Sequence, residues 1–367
     1  MHLDDDSLRG IEEMLVSAAV RPEAWPEAVS RIVEATGARG AGAIPILGRV
    51  PGVPSSDSIE ELMAAYFRTG WAERDYRANG IPTLMRTGLL VDQDITTPDA
   101  MGTNPFYSDF LRAYGFQWFA GLLVTVGDDV WCFTLQRTIG QGAFTPEEQA
   151  ALRRLIAPLG RAAALARDVG EARLDGIADT LETLRRPALL LDRTGCVLRT
   201  GSAAERFLGG ALDLRRGRLT VPGNPRASAA LQAHVAAAIW SELKPDSPAL
   251  APVVVERAGR RPLLLRAQPL RKAGFQYFDG ARAILTITDL DGTAPPEAGL
   301  LRALYGLTPR EIAFCEALLS GRGVAECAAD LGVSMPTARS HLKAIFAKTG
   351  TTGQGGLLLL LCRQAAA

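Results

Sequence analysis

Apolar residues recur along the chain in two rhythms, three-to-four and two, and the switching between them predicts the elements. Residues 8–19 and 25–36 carry helical spacing, residues 41–47 read as a strand, and residues 59–71 and 106–114 return to helical spacing. Residues 122–126 and 131–136 flank Gly127-Asp128-Asp129, which predicts a β-hairpin. Thr145-Pro146-Glu147-Glu148 then supplies a side-chain cap, a proline at the first helical position and early acidic residues, the marks of a helix start. Helices around a small antiparallel sheet predict an α+β domain over residues 1–165.

A helical pattern rich in Ala and Arg follows over residues 156–186. Leu155, Leu159, Ala162, Ala166 and Val169 are spaced 4, 3, 4 and 3; after Gly170 the phase slips, and Leu174, Ile177, Leu181 and Leu184 run 3, 4 and 3. Such spacing suits a helix lying along a partner helix in a dimer, and equally one packed on its own domain. Residues 166–186 are therefore read as a connecting helix. Residues 187–291 form a second α+β part: strands over 188–192 and 196–199 around Arg193-Thr194-Gly195, helices around 202–208 and 226–243, and strands over 253–256, 263–270 and 283–288. Asp291-Gly292-Thr293-Ala294-Pro295-Pro296 ends it.

The last part, residues 300–367, is all helical. Thr308 caps a helix with Pro309 at its first position and Glu311 three residues on. Ile312, Cys315, Leu318 and Leu319 share one face of it, and Gly321 ends it. A second helix over 324–331 buries Val324, Cys327, Ala328 and Leu331. Gly332 permits a left-handed residue there, and Ser334 caps a third helix. Two helices joined by a three-residue turn containing Gly make a helix-turn-helix pattern. On the third helix Ala338, Leu342, Ile345 and Phe346 gather inward. Arg339, Ser340, Lys343, Ala344 and Ala347 form the opposite face, which is basic and otherwise small enough to approach a groove floor. Arg can bond guanine O6 and N7 with two N–H groups, and Lys can reach the same atoms. His341 and Lys348 fall at its edge, where phosphates would run.

With these residues in hand, the run over 307–350 resembles the DNA-binding domain of LuxR-type regulators. Leu307-Thr308-Pro309-Arg310-Glu311, Gly321, Glu326, Ala328, Leu331-Gly332-Val333-Ser334, Thr337, His341-Leu342, Ile345, Lys348 and Gly350 carry the likeness. The resemblance implies an all-α, tetrahelical fold. It also implies that Thr337, Arg339, Ser340, His341, Lys343 and Lys348 face DNA, Lys348 beside the backbone, and that a fourth helix mediates dimer contacts. Gly323 and Ala325 depart from the Ser and Lys that the family favours. Gly353, Gly355 and Gly356 predict a fourth helix weakened at its start by ~1 kcal/mol each relative to Ala, with residues 357–361 as an apolar face for a partner.

The first domain is similar to GAF-type and autoinducer-binding domains. Of the 23 aromatic residues, 15 precede Arg167. Phe106, Tyr107, Phe110, Tyr114, Phe116, Trp118 and Phe119 crowd one stretch, as the wall of an apolar pocket would require. Tyr66, Trp71 and Asp75 resemble the Tyr, Trp and Asp with which autoinducer-binding domains hold an acyl-homoserine lactone, although Tyr76 replaces the usual Pro. The expected ligand-binding residues are Tyr66, Trp71, Asp75, Phe106, Tyr107, Phe110 and Trp118. The opening of the second part resembles a PAS domain; it shows no cofactor signature, and His234 reads as a surface helix residue.

Charge narrows the partners. Lys plus Arg and Asp plus Glu number 40 each, so affinity for nucleic acid must come from a local surface. Residues 300–367 carry seven basic and four acidic residues, a small excess that predicts weak binding by one copy and useful affinity from two copies on half-sites about one helical turn apart. The scattered cysteines exclude C-x-x-C metal and redox motifs and suit a reducing compartment. No secretory signal or run of membrane-spanning length stands out, so a cytoplasmic location is expected. No Walker loop, G-x-S-x-G or metal motif points to catalysis, and no cofactor is expected. The expectation is a homodimeric, ligand-responsive transcription regulator that binds double-stranded DNA and a small apolar or aromatic effector, with RNA polymerase as a further partner and no membrane. The alternative is a regulator governed by a protein partner or by phosphorylation.

Overall fold

The computed structural model describes residues 3–48, 52–241, 251–270, 277–278, 280–291 and 297–365. The expected linker residues 292–296 and the end of the helix expected over 226–243 lie outside them. The chain divides into two compact units, Met1–Val255 with Leu264–Ile287, and Glu256–Leu263 with Thr288–Ala367. Among the described residues no helix is long and apolar enough to cross a membrane.

The first unit opens with α1 (Asp5–Val20), α2 (Trp25–Thr36), β1 (Gly40–Pro45), α3 (Glu60–Arg68), α4 (Ile81–Thr87), β2 (Leu89–Val91), α5 (Pro98–Thr103), β3 (Phe116–Val126), β4 (Asp129–Thr138), α6 (Pro146–Arg153) and α7 (Ile156–Thr183). The strands form an antiparallel sheet in the order β1-β4-β3-β2, with Leu122 opposite Phe133. Alternation along the strands gives this sheet two different faces. Ala41, Leu122, Val124, Trp131, Phe133 and Leu135 are buried in the main core with residues of α1, α2 and α7. Phe119, Cys132, Thr134 and Gln136 turn to the other side and line a cavity.

Two expectations are revised here. Residues 106–114 form a π-helical turn, Phe106–Phe110, and then a tight 3-10 turn, Leu111–Tyr114, because Phe106, Tyr107, Phe110 and Tyr114 pack ring on ring. The hairpin is also longer than expected: β3 starts at Phe116, which pairs with Thr138. Most heptad positions of α7 are occupied within the chain, although Leu184 is 58% exposed. Leu159, Ala162 and Ala166 lie in the core shared with α1, while Leu174, Ile177 and Leu181 pack with Leu190 and Ala281 of the second sheet.

That sheet comprises β5 (Ala188–Asp192), β6 (Val197–Thr200), β9 (Val253–Arg257), β10 (Arg260–Pro269) and β11 (Ala281–Asp289) in the order β6-β5-β11-β10-β9. Between its strands lie α8 (Ser202–Glu205), the unexpected hairpin β7 (Asp213–Arg215) and β8 (Arg218–Thr220), and α9 (Pro225–Ile239). The hairpin turns through Arg216 and Gly217 at φ 50 and 76, the left-handed pair a tight two-residue turn needs. His234, expected at the surface, is buried, and its Nε2 accepts the N–H of Ala267 at 2.9 Å. The Ala-rich α9 comes close enough to the sheet for the imidazole to reach a strand amide.

The second unit contains α10 (Ala298–Tyr305), α11 (Pro309–Leu319), α12 (Val324–Asp330), α13 (Met335–Thr349) and α14 (Gln354–Ala365). Phe314, Cys315, Cys327, Ala338, Leu342 and Ile345 are among its core residues. Despite its glycines, α14 forms, because Leu357 and Leu361 are fully buried in the same core. The apolar run is therefore used largely inside the unit, and Leu359 is its one strongly exposed member, at 55%.

Candidate nucleic-acid interface and ligand cavity

The exposed face of α13 is set by three local devices. Gly332, at φ 64, turns the chain after α12; the Ser334 hydroxyl accepts the Thr337 N–H at 3.3 Å; and Pro336 sits in the first turn. Ala338, Leu342 and Ile345 then point into the core, which leaves Thr337, Arg339, Ser340, Lys343 and Ala347 exposed. Arg339 and Lys343 lie one helical turn apart on that face, and among the described residues neither has an ion-pair partner. Thr337 is also tied to Ser334 through its hydroxyl, at 2.8 Å. His341 is half-buried, with its ring 6.4 Å from that of Phe314.

Lys348 is held differently from the other five. Its Nζ donates to Glu311 Oε2 at 2.7 Å and to the carbonyl of Gly306 at 3.1 Å. Glu311 also closes the cap of α11, accepting from Thr308 N at 2.7 Å. Burial pushes the Glu311 carboxyl up, but the Lys348 ammonium and the Thr308 donors hold it below its ordinary range. Lys348 is thus a brace between α13 and α11. Internal pairing also consumes Arg322 with Asp330, while Glu326 accepts the Gly323 N–H in place of a side-chain cap. The charges left over are mostly positive. The side chain of Arg363 lies outside the description.

A cavity of about 650 Å³, counted with its open mouth, lies on the second face of the first sheet. Leu62, Met63, Ile81, Leu84, Leu90, Phe106, Phe110, Leu111 and Phe119 supply apolar wall, and Tyr66, Asp75, Arg77, Thr134 and Gln136 supply polar groups. Gly70, at φ 75, ends α3 and swings the chain round toward Asp75. Tyr66 donates its hydroxyl to Asp75 Oδ2 at 2.8 Å, and Asp75 Oδ1 accepts the Arg77 N–H at 2.9 Å. Of the seven residues expected to bind ligand, Tyr66, Asp75, Phe106 and Phe110 line the cavity. Trp71 stacks against Phe110 at 5.3 Å, with the Arg74 guanidinium 4.2 Å from its own ring, and stays out of the wall. Tyr107 turns its hydroxyl to Asp92 Oδ1 at 2.6 Å. Trp118 packs against the main core because the strand puts it on the face opposite Phe119.

The sequence reasoning missed the group that organises this site. Arg77 sends Nε and Nη2 to the two oxygens of Asp92, both at 2.9 Å, Nη1 to Gln136 Oε1 at 3.0 Å, and Nη2 also to the Gln117 carbonyl at 3.0 Å. Burial lowers the affinity of Arg77 for its proton, but Asp92 raises it further, and the guanidinium stays charged. Burial pushes the Asp92 carboxyl above its ordinary value, against the pull of Arg77 and Tyr107. Two parallel N–H donors on two carboxylate oxygens are the arrangement that holds an ion pair in an apolar interior. One signal was available: on a strand over 131–136, Cys132, Thr134 and Gln136 share a face, which alternation alone assigns to solvent.

No family model and no curated protein matches the chain. Partial likeness to solved structures does exist. The ligand-binding domain of VqsR from Pseudomonas aeruginosa is 20% identical, over 44% of this chain and 96% of that one, at a TM-score of 0.34. The VqmA dimer of Vibrio cholerae, described as a LuxR-type receptor, is 18% identical over 51% and 86%, at 0.23. The E. coli DhaR(N)–DhaL complex gives 14% over 77% and 87%, at 0.26. Scores this low fix the fold of no part of the chain. Among the described residues no cluster of three or more His, Cys, Asp or Glu could hold a metal ion.

Proposed function

We propose that this chain is a ligand-responsive, sequence-specific DNA-binding regulator of transcription, with α11–α14 as a LuxR-type helix-turn-helix domain. The observation that carries the reading is the outer face of α13. Among the described residues, two cations stand there without an ion-pair partner amid small side chains, on a helix whose inner face is anchored. An α-helix about 10–12 Å across with its side chains fits a major groove ≈ 12 Å wide. In this reading Arg339 and Lys343 contact base edges, Thr337, Ser340 and His341 flank them, and Lys348 holds the domain together while facing the backbone. Two copies occupy two half-sites.

The cavity of the first sheet, mostly apolar with a few convergent polar groups, takes a small apolar or aromatic effector in this reading, with Asp75 and Tyr66 at its polar end. The PAS-like second sheet relays occupancy, and the chain performs no reaction.

The test begins with duplexes enriched from a random library by the full chain. The Arg339→Ala/Lys343→Ala variant, with an unchanged circular dichroism spectrum, is expected to bind them about 10- to 100-fold more weakly, as loss of one or two good base or phosphate contacts implies. Failure to enrich any sequence, or equal binding by the variant, overturns the proposal.

A further inference from the structure

The cavity wall contains an amide donor that, among the described residues, no protein acceptor meets. Gln136, on β4, is 7% exposed and lines the cavity. Its Oε1 accepts from Arg77 Nη1 at 3.0 Å. A guanidinium can only donate, so this contact fixes which end of the amide faces Arg77. The NH2 end must face away, and among the described residues no acceptor meets it. Arg77 is itself locked by Asp92 and the Gln117 carbonyl, so the amide cannot turn over without setting its NH2 against a buried N–H donor and leaving that donor without an acceptor.

Other polar groups of the wall are already engaged. Thr134 donates its hydroxyl to the Gly42 carbonyl at 3.0 Å, and Asp75 receives Tyr66 and the Arg77 amide. The formal charges of the wall also select against anions. Arg77, the one cation among the described residues of the wall, is already paired with Asp92, so the wall offers an entering anion no free counter-charge.

We infer that Gln136 is a specificity-determining residue of the cavity: its Nε2 reads a hydrogen-bond acceptor, a carbonyl-type oxygen, on an uncharged effector with an apolar body. The inference rests on the reading of the cavity as the effector site and adds the chemical class that the site selects. The Arg77–Asp92–Tyr107 group acts on the effector through Gln136, by fixing the orientation of its amide.

Matched probes test it on the full chain by ligand-observed NMR. Acetophenone carries the acceptor; α-methylstyrene has the same shape without it; benzoate carries the anion. Acetophenone is expected to bind about tenfold more tightly than α-methylstyrene, and benzoate more weakly than either. In Gln136→Glu, which keeps an oxygen for Arg77 but removes both amide donors, acetophenone is expected to lose its advantage while α-methylstyrene binds as before. Equal binding of acetophenone and α-methylstyrene by the natural chain, or a preference that survives Gln136→Glu, overturns the role of Gln136 and leaves the effector site standing. If neither neutral probe binds at millimolar concentration, the effector site and this inference fall together.

Discussion

Two ion pairs, one buried and one at the surface of its unit, show how single residues hold this chain. Asp92 is wholly buried, so replacing Arg77 would strand a carboxylate, the situation that typically costs about 3–5 kcal/mol. Arg77→Met is expected to lower the urea midpoint of the first unit accordingly, and the double variant Arg77→Met/Asp92→Leu to recover part of the loss, because the stranded charge is gone. Lys348 and Glu311 make the second pair. A carboxyl held below its ordinary range stabilises the fold fully above that range and loses the contribution as pH falls through the lowered value. Lys348→Met is therefore expected to move acid opening of α11 and α13 to higher pH, read by hydrogen exchange on peptides from those helices.

At the scale of elements, amphipathic rhythm located α1, α2, α11 and α13 well, since one side of each meets a core and the other meets water. It misled on the faces of β4 and α9. The polar side of β4 lines a cavity, and the lone histidine of α9 faces a sheet. Burial lowers the affinity of His234 for a proton, with a smaller push from Arg266. The unfolded chain then binds that proton more readily, so the stability from the neutral imidazole is complete above its ordinary value of about 6.5 and declines as pH falls below it. The urea midpoint of the first unit is expected to drop between pH 7.5 and 5.5, and to drop less in His234→Gln.

At the largest scale, contacts inside the first unit tie its first sheet to the β5–β6 turn and to Phe278. Phe278 lies between Trp25 and Trp131, with ring centroids at 5.1 and 4.7 Å. Arg193 crosses from the β5–β6 turn to Asp129 at 2.6 and 2.8 Å and to the Leu47 carbonyl at 3.1 Å. Trp131 alternates along β4 with Cys132 and Thr134, so the strand that lines the cavity on one face meets Phe278 on the other. Phe278→Ala is expected to cost about 3–5 kcal/mol and to shift tryptophan emission to longer wavelength as Trp25 and Trp131 gain water. Unchanged emission and stability would show that the seam contributes nothing.

The chain's own order of residues settled what depends on neighbours a few positions away. The Thr308–Glu311 cap, the turn at Gly332, the Ser334 cap and the sidedness of α13 follow from local geometry and periodicity, and so the basic face could be read directly. Arg77, Asp92 and Gln136 could not, because the pairings among them span 15 and 59 positions and no local spacing encodes such a meeting. The same holds for Lys348, whose partner Glu311 sits 37 residues away. Which polar groups become buried, and which donor is left over, is decided only when distant segments are brought together and water is excluded between them.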